Sequence, residues 1–234
     1  MIQANNENGG NSTNGSNWEQ IYSHNKPGSF LNYPNENLVT LFFQNRNHIN
    51  QSGNCLDFGF GSGNNSEFLI QHMDALYGLD IAESSVAITR QRLANYERFQ
   101  SDRFNVGTCQ ELPTDGFFDL IIAWQMLYYN DIVGLHNSID RLHRALTPGG
   151  VLIATLITNR DVKVQHATPS QLGTYIIDSR IPHQEGCNVV SPANRADFIG
   201  LFSAFTLLDS GYYERASFMT ENTASEYYII AKKT

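Results

Sequence analysis

A chain of 234 residues that is 41% hydrophobic, 12% aromatic and 16% charged suits one domain, or one domain with a small appendage, and is long enough to bury a substantial core. Its 23 acidic residues outnumber its 15 basic ones, for a net charge of −8, and no cluster of Lys or Arg breaks that balance. Phosphate backbones are therefore repelled on average, and no nucleic-acid partner is expected. Cys55, Cys109 and Cys187 are odd in number and widely spaced, which fits neither a disulfide framework nor zinc-ligand spacing, so no metal site is expected. The opening segment lacks the basic-then-apolar layout of a secretory signal. No run approaches the roughly 18 apolar residues a membrane span needs. The expectation is a soluble protein of a reducing cytoplasm with no membrane partner.

In chain order, residues 1–17 are Asn, Gly, Ser and Thr with almost nothing apolar after Ile2; such a segment buries too little to offset its ordering entropy and reads as a disordered tail. A helical cap follows over residues 18–50. Trp18, Ile21 and Tyr22 share one helical face, and a second helix is expected from Asn35 to Gln44 with Leu38, Leu41 and Phe42 inward. Residues 51–157 then alternate short apolar runs with amphipathic stretches. Strands are expected at 55–58, 75–81, 103–107 and 117–124. Helices are expected from Asn64 to Met73 and from a Ser84 cap to Tyr96. Ile132, Leu135, Ile139, Leu142 and Leu146 form a single apolar stripe stopped by Pro148-Gly149-Gly150, and Val151 to Ile157 is a fifth strand. This alternation argues for a parallel sheet covered by helices on both faces.

The rhythm breaks after Ile157. Residues 158–191 read as a long loop, a length that in a compact domain is usually functional, and by position they form a lid over a substrate. Residues 192–234 supply a helix from Pro192 to Phe205 and two β-rich segments, 206–218 and 225–232, joined as an antiparallel pair at one sheet edge.

The informative run is Asp57-Phe58-Gly59-Phe60-Gly61-Ser62-Gly63-Asn64. It follows a buried strand and opens a helix, the setting in which a glycine-rich turn takes a nucleotide cofactor against a helix N-terminus. Asp80, at the end of the next strand, is placed to accept two hydrogen bonds from a ribose diol. Two cofactor classes fit this geometry. Dinucleotide enzymes want Gly-x-Gly-x-x-Gly, whereas Asn64 stands where the third glycine would fall. The observed spacing, with an acid two residues before Gly59, resembles motif I of class I S-adenosylmethionine-dependent methyltransferases.

Four further segments resemble that family in the right order: Gly78-Leu79-Asp80-Ile81 the ribose strand, Gly107-Thr108-Cys109 the adenine loop, Phe118 to Trp124 the fourth strand, and Leu142 to Leu152 the helix before the fifth strand. The likeness spans about residues 50–232. It implies a Rossmann-like α/β fold with a seven-stranded, mostly parallel sheet, an antiparallel strand near one edge, and helices on both faces. It also implies S-adenosylmethionine as cofactor and a small-molecule methyl acceptor, and a weaker likeness over residues 18–41 suggests a hydroxyl of a metabolite or sugar. Thr108 replaces the usual Asp of the adenine loop. Tyr128 and Tyr129 replace a common histidine pair. No Asn- or Asp-Pro-Pro-Tyr follows the fourth strand, which argues against amino-group methylases acting on bases or glutamine.

The cofactor residues expected from this pattern are Asp57, Gly59, Gly61, Gly63, Asp80, Ile81, Thr108, Cys109 and Trp124. Tyr22 and Tyr33 of the cap join them as aromatic faces for a sulfonium cation. Candidates for a catalytic base are His166, His183 and Tyr128. The competing readings are a methyltransferase-like module that binds the cofactor without turnover and an NAD-dependent oxidoreductase.

Overall fold

The computed structural model describes residues 9–24, 31–170, 174–220 and 222–234. Its helices are α1 (Gly9–Ser23), α2 (Glu36–Gln44), α3 (Asn64–His72), α4 (Glu83–Leu93), α5 (Ile132–Ala145), α6 (Val162–Gln165) and α7 (Arg195–Gly200). Its strands are β1 (Asn54–Phe58), β2 (Ala75–Asp80), β3 (Phe104–Val106), β4 (Phe118–Ala123), β5 (Leu146–Ile157), β6 (Ala167–Pro169), β7 (Tyr175–Ile177), β8 (Asn188–Val189), β9 (Thr206–Ala216) and β10 (Thr223–Lys232). Seven of these strands form one sheet in the order β3-β2-β1-β4-β5-β10-β9. Strands β1 to β5 pair in parallel, and β10 runs antiparallel to both β5 and β9. This is the expected Rossmann-like architecture.

The central strands are almost continuously apolar because both faces of the sheet are covered. Alternation sends Leu56, Ile121, Ala123 and Leu152 to the face packed by Leu135, Ile139 and Leu142 of α5. Cys55, Leu120, Ile122 and Ile153 go to the opposite face, against Leu38, Leu41 and Phe42 of α2 and Phe68 and Leu69 of α3. The apolar stripe of α5 is thus one half of a core that the β4 sequence completes.

Five expectations need correction. The first concerns residues 9–17, which are helical rather than disordered, while residues 1–8 lie outside the described residues. Helix propensity does not account for a segment rich in Gly, Asn and Ser; tertiary contacts do. Asn14, only 3% exposed, donates to the carbonyls of Tyr129 (2.9 Å) and Asn188 (3.1 Å) and accepts from the Asn188 N–H (3.0 Å). Ile21 is buried. Glu19 accepts from the Ser84 N–H (3.1 Å) and hydroxyl, setting a carboxylate on the first turn of α4, where the helix dipole favours it.

That contact also corrects the second expectation, because Ser84 serves α1, and the N-cap of α4 is Ala82. Third, residues 158–191 are structured: α6 and the small antiparallel sheet β6-β7-β8 occupy much of them, and residues 171–173 lie outside the described set. Fourth, β5 starts at Leu146, ahead of Pro148, because Leu146 pairs with Phe118 and Lys233 bonds to the backbone of Gly149 and Gly150 (2.8 and 2.9 Å). The C-terminal helix is also shorter than expected, Arg195–Gly200.

Because α1 is held by polar contacts rather than by its own propensity, its attachment is open to test. Asn14→Ala leaves two carbonyls and an N–H without their partner, at a cost of about 1–3 kcal/mol. Limited proteolysis should cut residues 9–24 about tenfold faster in this variant while the main urea transition moves far less. Equal protection of that segment in both proteins would show that other contacts hold it.

Candidate functional site

The site begins with the turn after β1. Gly59, Gly61 and Gly63 have φ values of 74°, 57° and 77°, the left-handed region that glycine enters without penalty. At Gly61 a second constraint applies: a Cβ there would lie 2.5 Å from the Tyr22 hydroxyl oxygen of α1. The turn is bonded on both sides. Gly61 N–H donates to Asp80 Oδ2 (2.8 Å), Gly59 N–H donates to the Leu79 carbonyl (2.8 Å), and the Ser85 and Thr89 hydroxyls donate to the Gly61 carbonyl (2.6 and 3.0 Å). Asp80 uses its other oxygen to accept from the Ala82 N–H (3.0 Å). One carboxylate thereby ties the glycine turn to the start of α4.

Two cavities open side by side above the carboxyl ends of β1, β2 and β4. The first, about 130 Å³, is walled by Asp80, Ile81, Thr108 and Cys109 beneath and by Asn14, Trp18 and Tyr22 of α1 above. The second, about 570 Å³, lies between Ser62, Asn64, Trp124 and Tyr128 on one side and Lys163, His183 and Gln184 on the other. Trp18, Tyr22, Gly59, Gly61, Gln125 and Tyr129 belong to both walls. The rings there are packed together, Trp18 stacked on Tyr22 (5.9 Å) and edge-on to Tyr129 (4.9 Å). Tyr129 donates to Gln184 Oε1 (2.8 Å), which latches residues 158–191 to the end of β4.

Two buried acids lie under the turn. Burial, and secondarily the nearby Asp80 carboxylate, pushes the Asp57 carboxyl up to about 7, against the lowering effect of the Ser66 hydroxyl that donates to it (2.6 Å). Asp80 is raised as well, by burial above all, with its backbone hydrogen bonds opposing. Such carboxyls gain from any cation brought above them. Trp124 is 4% exposed, and its Nε1 has no partner among the described residues.

Residues 55–150 match a family model described as a methyltransferase domain. Over those residues the chain is similar to methyltransferase domains. Its relatives include nodulation protein S of Rhizobium tropici, 30% identical over 101 residues that make up 43% of this chain and 41% of that protein. The chain thus spans about two fifths of the length of that curated relative. Among solved structures, an S-adenosylmethionine-dependent methyltransferase from Anabaena variabilis superposes with a TM-score of 0.69 at 15% identity, covering 100% of this chain and 98% of the other. The N-methyltransferase NodS from Bradyrhizobium japonicum, solved with S-adenosylhomocysteine, superposes with a TM-score of 0.64 at 18% identity, covering 94% and 98%. At these identities the structural likeness carries the fold.

The two cavities gather most of the residues expected from sequence. Asp80, Ile81, Thr108 and Cys109 line the first cavity, Trp124 and Tyr128 the second, and Tyr22, Gly59 and Gly61 both. Three fall elsewhere. Asp57 is buried against Ser66 of α3 and lines neither cavity. Gly63 packs under Thr89, which a Cβ would meet at 2.7 Å. Tyr33 is 81% exposed and lines neither cavity, because its segment runs outward past α3 with the Tyr33 carbonyl bonded to Asn64 (3.0 Å).

Of the candidate bases, His183 lies in the wall of the second cavity, His166 does not, and burial raises the Tyr128 hydroxyl well above its usual range, so near neutral pH it keeps its proton and is no base. Sequence reasoning missed Asn14, Gln125 and Lys163. Gln125 alone carried a signal, its place directly after the β4 run.

The Asp57 carboxyl gives the turn a pH signature. A carboxyl raised in the folded state keeps a proton that the unfolded chain releases near pH 3.9. Its contribution to stability is therefore complete below about pH 4 and is lost as the pH rises to about 7. Asp57→Asn keeps an acceptor for Ser66 and removes the titration. Its urea midpoint should gain on the wild type from pH 4 to pH 7 and hold a constant lead above that; parallel curves would remove Asp57 as the source.

Proposed function

We propose that the chain transfers a methyl group from S-adenosylmethionine to a small-molecule acceptor. The observation that carries this reading is the pair of adjoining cavities, one over Asp80 and the adenine loop, the other under residues 158–191, that share the wall at Gly59, Gly61 and Tyr22. The residues fit the cofactor. Asp80 would hold the ribose, Ile81, Thr108 and Cys109 would flank the adenine, and the orphaned Trp124 Nε1 would donate to the carboxylate end. Asp57 and Asp80 beneath the turn favour a cationic ligand, and Trp18 and Tyr22 offer aromatic faces to it. When bound, S-adenosylmethionine supplies a methyl carbon already activated by the sulfonium.

The remaining work falls to this chain. The α1 helix and residues 158–191 exclude water and align the acceptor, and alignment is the larger part of what such a reaction needs. A hydroxyl of a metabolite or sugar is one acceptor of this kind, and His183 is the group in the cavity wall suited to take its proton. An amine is the second, favoured by the N-methyltransferase activity in the name of the Bradyrhizobium neighbour; it uses its own lone pair and needs no strong base.

Thermal unfolding with S-adenosylmethionine, S-adenosylhomocysteine and NAD tests the cofactor. A ligand at 100 times its dissociation constant stabilises by about 2.7 kcal/mol, which for a domain of this size is a shift of roughly 5–10 °C. The expected outcome is a shift with both S-adenosyl compounds and none with NAD; a shift with NAD alone would overturn the proposal. Release of S-adenosylhomocysteine in the presence of an acceptor separates an enzyme from a binding module, which releases none.

A further inference from the structure

The end of β4 holds a strained residue that neither the glycine turn nor the adenine loop explains. Gln125 has φ 57°, a left-handed conformation uncommon for a side chain of this size and a mark of sites where the surroundings hold the backbone in place. The surroundings here are specific. The Gln125 N–H donates to the hydroxyl of buried Thr155 on β5 (2.8 Å). The side-chain Nε2 donates to both carboxylate oxygens of Glu226 on β10 (2.9 and 3.0 Å). Gln125 also belongs to the walls of both cavities.

A carboxylate can only accept, so Glu226 dictates which end of the Gln125 amide faces it. The nitrogen is committed, and Oε1 is left as the group that meets a ligand at the shared wall. Lys163 assists: its ammonium lies 3.5 Å from Asp161 Oδ1 and 5.7 Å from the Tyr128 ring centre, and its charge opposes the burial that raises the Glu226 carboxyl. Asp161 is itself fixed by the N–H groups of Ser225 and Lys163 (2.9 Å each).

We infer that Glu226 is a positioning residue that turns the Gln125 carbonyl toward the acceptor, and that the acceptor is an N–H or O–H nucleophile on a flat apolar body. This rests on the methyl transfer proposed above and narrows its substrate class. An N–H or O–H donated to Gln125 Oε1 fixes the nucleophile at the boundary between the two cavities. Trp18, Tyr22, Trp124, Tyr128 and Tyr129 around the second cavity provide faces for the body. Thiolate and carbanion nucleophiles, which bring no donor, gain nothing from this arrangement.

The test uses the full chain saturated with S-adenosylhomocysteine and three probes built on the same ring, benzyl alcohol, benzylamine and toluene, titrated by ligand-observed NMR. Glu226→Leu frees the amide to rotate. It should weaken benzyl alcohol and benzylamine about fivefold to tenfold, the scale of one hydrogen bond, and leave toluene and S-adenosylhomocysteine within about twofold. Glu226→Gln, whose own carbonyl can accept from Nε2, should restore both protic probes.

Should Glu226→Leu fail to fold, Gln125→Leu removes Oε1 directly and is expected to show the same selective loss. Equal loss of all three probes would mean that the residue merely supports the cavity. No loss, no rescue by Glu226→Gln, or no binding of the protic probes to the wild type would each overturn the inference. Failure of S-adenosylhomocysteine to bind the wild type would instead overturn the methyl-transfer reading beneath it.

Discussion

The hydrogen bond from the Gly61 N–H to Asp80 is the contact around which the site is organised. It joins the turn after β1 to the end of β2, and through the other Asp80 oxygen it reaches the first turn of α4. Without it the three left-handed glycines would have no reason to lie where Tyr22 can close over them. The same bond constrains ligand chemistry. Two of the carboxylate's lone-pair positions are occupied by backbone donors, so a ribose diol meets an acceptor whose orientation is fixed before it arrives. Preorganisation of this kind lowers the entropy lost on binding.

Electrostatics follows from the same arrangement. Asp57 and Asp80 are both buried near the turn, burial raises both carboxyls, and the Asp80 carboxylate adds to the cost of ionising Asp57. Folding accepts this unfavourable term because the glycine turn and its covering helix need those acceptors. A ligand carrying positive charge would relieve part of it.

What was legible in the sequence was what is local. The Gly59–Gly63 turn, Asp80, the β4 run and the α5 stripe each show themselves by a pattern within a few residues, and the fold class follows from their order. What was illegible depends on partners far along the chain. The α1 helix exists because Asn14 finds Tyr129 and Asn188, and Glu19 finds Ser84, none of which composition records. The sheet β6-β7-β8 is built from two- and three-residue strands, too short for periodicity to register. Gln125 stands beside Trp124 in the sequence, yet its role follows from Glu226, a hundred residues away on a strand that belongs to no recognised motif. Tyr33 misled for the opposite reason: an aromatic residue in the right segment was turned outward by a backbone course the sequence did not specify.

The place of β10 in the sheet has a consequence for how the chain is made. It follows β9 in the chain, yet it is an interior strand, sandwiched between β5 and β9. Until its residues emerge from the ribosome, β5 presents a long and almost wholly apolar open edge, and β9 has no partner. Nascent chains in that condition pair with one another or with chaperones. The arrival of β10 also delivers Glu226 to Gln125, so closure of the sheet and completion of the acceptor-facing wall are a single event.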